Sequence, residues 1–153
     1  MKFEILRYGI YGAVIAVILF FIFSCNDVKQ HPVLYTAVKG KDTAFLEITA
    51  YKNRFYGTYE VYYGSRSMKD SGAVEGEISG DTLRGKFRYI SYGGSKTINP
   101  IIFLRNGQKL IQGHGVVASY MGISYFMPDN PIEFNDSFVF DPVSQKKKSE
   151  IGE

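Results

Sequence analysis

The sequence contains no tryptophan, a single cysteine, two histidines and five prolines among its 153 residues. One cysteine excludes an internal disulfide framework. His31 and His114 are the only imidazoles, and no histidine, cysteine or acidic residue sits close to His114 in sequence. A metal cluster and a Ser-His-Asp set therefore both lack their parts, and neither a metal nor a cofactor is expected. An excess of one charge is also missing. The formal net charge is +3, and it falls to +2 once Lys2, Glu4 and Arg7 leave with a cleaved leader, too balanced to imply a nucleic-acid partner. A charged content of 22% and a hydrophobic content of 45% exclude a disordered or fibrous chain.

What is present begins with the N-terminus. Two basic residues, Lys2 and Arg7, precede an uncharged run from Tyr8 to Phe23 and the boundary Ser24-Cys25, the layout of an export signal. The run falls short of the roughly 20 apolar residues that comfortably span a bilayer, so cleavage is favoured over a permanent anchor ending in a free Cys25 thiol. Ile22-Phe23-Ser24-Cys25 resembles the lipobox of bacterial lipoproteins: Ile22, Ser24 and Cys25 match, and Phe23 is bulkier than the usual residue. The resemblance covers residues 1–25. It implies that residues 1–24 are a signal peptide, that Cys25 carries lipid, and that the protein sits on a bacterial envelope membrane facing the periplasm or exterior. Residues 25–32 then read as a polar tether, 33–142 as the folded domain, and 143–153, with Lys146, Lys147 and Lys148, as a disordered basic tail.

Between tether and tail, short runs of Tyr, Phe, Ile, Val and Thr alternate with Gly, Asn and Asp, the pattern of consecutive β-hairpins. Placing a two-residue turn at Gly80-Asp81 sets Ile78 against Leu83, Glu77 against Arg84, Gly76 against Gly85, Glu75 against Lys86 and Val74 against Phe87. Every pair is chemically matched, and a slip of one residue would turn each side chain to the wrong face. A second hairpin around Lys52-Asn53 sets Leu46 against Tyr59, Ile48 against Gly57 and Ala50 against Phe55. Asn106-Gly107 marks a third turn, and Pro100 marks an edge or bulge. Further strands are expected near Val33–Val38, Gly115–Tyr120, Ile132–Phe134 and Phe138–Phe140. The fold class is all-β: an antiparallel meander of about eight to ten strands, a curled sheet or small lipocalin-like barrel, preceded by the hydrophobic signal helix. Inward Gly57, Gly76 and Gly85 suit the bends that closure demands.

No catalytic set emerges, and the protein is expected not to be an enzyme. Glu75 and Glu77 have the spacing of paired carboxylates, but their register gives each a basic neighbour on a wetted face. Ser91-Tyr92-Gly93-Gly94-Ser95-Lys96 follows a strand without opening a helix, so it lacks the context of a phosphate loop. The distinctive feature is aromatic: 12 Tyr and 12 Phe. Tyr59, Tyr63, Phe87 and Tyr89 share one expected inward face, where they either fill the core or line a cavity, and His114 is the one polar candidate at a barrel mouth. These five are the expected ligand contacts. The expected role is binding or accessory, toward a small apolar ligand or an envelope protein. A structural role in an envelope complex, through an exposed edge such as the segment after Gly115, is the alternative. The plan also resembles lipid-anchored envelope inhibitors of lysozyme, although no matching inhibitory loop is present, and an enzyme ranks last.

Overall fold

The computed structural model describes residues 31–65 and 67–143; the leader, Cys25 and the tail from residue 144 lie outside the described residues. Ten strands occur among these residues: β1 (Val33–Lys39), β2 (Asp42–Tyr51), β3 (Arg54–Tyr62), β4 (Lys69–Ser79), β5 (Thr82–Ile90), β6 (Lys96–Asn106), β7 (Lys109–Gly113), β8 (Val117–Tyr120), β9 (Ile123–Phe126) and β10 (Val139–Pro142). No helix occurs among the described residues. Eight strands form a closed antiparallel barrel in the order β1-β10-β7-β6-β5-β4-β3-β2, and β8 and β9 form a separate hairpin. β10 pairs with both β7 and β1, which removes the free edges an open meander would expose.

Turn chemistry fixes the registers. Tyr51 faces Arg54, Ser79 faces Thr82 and Asn106 faces Lys109, leaving two-residue loops at 52–53, 80–81 and 107–108. Lys52, Gly80 and Gly107, the first residues of these loops, have φ of 55°, 56° and 61°, and their successors do not have positive φ. This is the II′ pattern, whose twist matches that of the flanking strands. The β2–β3 and β4–β5 pairs follow the registers expected from sequence. The third turn falls at the expected Asn106-Gly107: Asn106 ends β6, and the loop is Gly107 and Gln108, with glycine in the left-handed first position.

Inward side chains follow the alternation. Leu46, Phe55, Val74, Leu83, Phe103, Leu110 and Phe140 are buried and fill the barrel from its middle to one end; burying each such side chain contributes roughly 1.5–3 kcal/mol. Inward Gly76 and Gly85 face each other. A Cβ on Gly76 would strike the backbone of Gly85 and the Phe55 ring at 2.5 and 2.7 Å, so the bare backbone makes room for that ring. On the outer face, Glu75 forms its ion pair with Arg88, at 2.7 Å, diagonal to its register partner Lys86. Both side chains are about half exposed, which keeps the pair's contribution small.

The segment between β7 and β10 departs from expectation. The strand expected near Gly115–Tyr120 is present as β8, but it leaves the barrel and pairs with β9, a strand not expected from sequence. Ile132–Phe134 is not a strand, and holds only the single bridge pair of Glu133 with His114. Its two apolar side chains approach the Cβ position that Gly113 lacks, beside Ile102. Ile102 points out of the barrel yet is only 2% exposed. The Ile-x-Phe alternation thus marks a half-buried surface, as read, but the surface is an outer cover over β6 and β7. The final strand runs from Val139 to Pro142, shifted from the expected Phe138–Phe140. Pro100 lies in β6 beyond Ile102, the last residue that β7 pairs, where only β5 accompanies it.

Candidate functional site

Alternating hairpins put alternate loops at opposite ends. Loops 52–53, 80–81 and 107–108 share one end with the start of β1 and the finish of β10. The packed core closes this end. Loops 40–41, 63–68 and 91–95, together with the 114–138 excursion, share the other. There the inward face changes character. In phase with Ala37 comes Lys39, with Ala44 comes Asp42, with Val74 comes Asp70, with Ile101 comes Asn99, and with Leu110 comes Gln112.

These polar residues surround a cleft of about 820 Å³ that opens at this end. All five residues expected from sequence, Tyr59, Tyr63, Phe87, Tyr89 and His114, line it. Val61, Phe87 and Ile101 are buried and form an apolar floor with Tyr59. Tyr59 packs against Phe87 with ring centroids 4.9 Å apart, and Phe87 stacks on Tyr89 at 4.4 Å with an interplanar angle of 11°.

Each phenol is held by a polar neighbour. The Tyr59 hydroxyl donates to Gln112 Oε1 at 2.8 Å, the Tyr63 hydroxyl donates to Asp70 Oδ2 at 2.9 Å, and Asn99 Nδ2 donates to the Tyr89 hydroxyl at 3.0 Å. Burial is the main cause that pushes the Tyr59, Tyr63 and Tyr89 phenols above their usual range; the Asp70 charge pushes all three the same way. At the rim, Lys39 Nζ lies 3.3 Å from Asp136 Oδ1 and also donates to the Asp136 carbonyl. His114 Nδ1 lies 2.9 Å from Ser137 Oγ, and Nε2 lies 3.7 Å from Glu133 Oε2. His114 is a rim residue, and the fold supplies the acidic neighbour that its sequence surroundings lack.

No family model, curated protein or solved structure matches this chain. Among the described residues no group of three or more His, Cys, Asp and Glu side chains is placed to hold a metal ion. Glu75 and Glu77 lie on the outside wall, facing away from the tyrosine-lined cleft. Sequence reading passed over Asp70, Asn99 and Gln112, which orient the tyrosines. Their signal was available: each is a polar residue in strand phase with a buried apolar one, Asp70 with Val74, Asn99 with Ile101 and Gln112 with Leu110.

Proposed function

We propose that this protein is a lipid-tethered binding protein of the bacterial envelope, a lipocalin-like cup that receives a small molecule with an apolar body. The observation that carries the reading is the half-filled barrel: aromatic floor, oriented phenols and polar rim meet in one cleft, at one end. Its volume falls within the roughly 300–1,000 Å³ usual for ligand sites, and hydrogen-bonded phenols around an apolar floor suit a ligand that is apolar in the middle and polar at its edge. The export signal and Cys25 supply the address, and two or more acyl chains would hold the cup stably at a membrane.

Two measurements test this reading. Intact mass of protein extracted from its host membrane should show a species starting at Cys25 with added diacylglycerol and acyl mass, absent from Cys25→Ser; an uncleaved, unmodified chain contradicts the tether. Native mass spectrometry of the same protein should show a small-molecule adduct that Asn99→Trp, which fills the cleft, no longer carries. An adduct retained by that variant places the ligand elsewhere, and no adduct in either contradicts a resident ligand.

A second reading rests on the β8–β9 hairpin. Tyr120, Met121 and Ile123 at its tip are 69%, 84% and 58% exposed. Such a tip suits a contact with an envelope protein. A photo-crosslinker at Met121 should then capture one stoichiometric partner in native membranes, and capture of lipid alone removes this reading.

A further inference from the structure

The cleft is acidic in a protein that is not. The chain carries a net charge of +3, yet Asp42, Asp70 and Asp136 line the cleft, and among the described residues Lys39 is its one Lys or Arg. Lys39 is already paired with Asp136. Asp70 is half-buried on the wall, and both its oxygens are engaged: Oδ2 accepts from the Tyr63 hydroxyl at 2.9 Å and Oδ1 from the Tyr92 backbone N–H at 3.0 Å. Both donors are neutral. They orient the carboxylate without cancelling its charge, and no basic side chain among the described residues pairs with it. Tyr63 and Tyr89 line the same cleft and stay partly exposed, Tyr89 with one face covered by Phe87, and an open aromatic face carries the negative end of the ring quadrupole.

On the reading that this cleft is a ligand site, we propose that its ligand is a cationic amphiphile, with an ammonium or quaternary ammonium head seated against Asp70 and the tyrosine rings and an apolar body on the Phe87–Ile101 floor. A fixed carboxylate in a partly desolvated wall attracts a cation more strongly than the same group in open water. Aromatic faces add cation–π attraction, the arrangement that recognises methylated ammonium groups. Among the described residues, an anionic head would meet three carboxylates and one ammonium already committed to one of them, so the same site selects against it.

The test uses the chain starting at Asn26, which contains all eight barrel strands and the whole core. Calorimetric titration compares decyltrimethylammonium, decyl maltoside and decanoate, three heads on similar tails, each below its micelle concentration. The cationic probe should bind about tenfold more tightly than the neutral one, with decanoate weakest. In Asp70→Asn, which keeps the side chain's shape and an acceptor for Tyr63, the cationic and neutral probes should bind within about twofold of each other. Equal binding of all three probes by the wild-type chain, or a preference for decanoate, overturns the cationic assignment and leaves the ligand-cup reading standing. Binding of none overturns both. The wild-type comparison decides the matter alone if Asp70→Asn does not fold.

Discussion

Tyr59 links the packed half of the barrel to the open half: its ring lies within aromatic contact distance of Phe87, Phe103 and Phe140 while its hydroxyl reaches Gln112 in the cleft. Tyr59→Phe removes that hydrogen bond from a site where the residue is 2% exposed, and should lower stability by about 0.5–1.5 kcal/mol, read as a fall in urea midpoint at unchanged slope. The raised phenols give a pH dependence with a definite sign. In the folded state Tyr59 and Tyr63 hold their protons above the pKa of an unfolded tyrosine, about 10, so between the two values the native state binds more protons. Their contribution is complete below pH about 10 and is lost as pH rises beyond it. A spectroscopic alkaline titration should therefore show Tyr59 and Tyr63 ionising only as the fold is lost; ionisation of both while the barrel is still folded would contradict this. At this scale the aromatic contacts were legible because strand phase is strict. The hydrogen-bond partners were less legible, because Gln112 meets Tyr59 only after closure, 53 residues away in sequence, and Asp70 meets Tyr63 across the irregular β3–β4 connection, 7 residues away.

The hairpins show which local signals are sufficient. Gly80 works as the first loop residue because its φ of 56° suits glycine, and nothing lies within 4 Å of a Cβ placed there. Gly80→Ala should accordingly destabilise through backbone conformation alone, by about 1–2 kcal/mol, measurable by denaturant unfolding; an unchanged midpoint would show that the turn relaxes at no cost. Register in β4 and β5 was readable because each cross-strand pair matched in chemistry. Asn106-Gly107 marked the third turn, and within it glycine takes the left-handed first loop position while Asn106 ends β6. The departure at β8 and β9 has a physical cause. Alternation reports that one side of a segment is covered, and it is silent on whether the covering surface is the barrel interior or the barrel's outer wall.

For the molecule as a whole, the chain enters and leaves the barrel at its closed end. Val33 begins β1 there, and Val143 follows β10 and donates its backbone N–H to the Leu34 carbonyl. A lipid on Cys25 would therefore draw the closed end toward the membrane and leave the cleft facing away from it. On nitroxide-labelled vesicles, a fluorophore at Gln108 should be quenched more strongly than one at Gly93; the reverse order would place the cleft against the bilayer. The number of strands and the inward glycines fitted a curled sheet or a closed barrel alike, and the pairing of β10 with both β1 and β7 decides for closure. The half-open interior was foreseeable only by noticing that inward polar residues gather at the same end of successive strands, a pattern visible once the registers are aligned.

The central claim is that this open end, and not the packed end, receives a ligand. The most direct measurement is an amide-resolved NMR titration of the chain starting at Asn26 with a lipid extract of its host envelope. The account predicts shifts at Asp42, Tyr63, Asp70, Tyr89, Asn99 and His114, with Ile78, Leu83 and Leu110 unmoved. Shifts confined to the closed end or to the β8–β9 hairpin, or none anywhere, would contradict it.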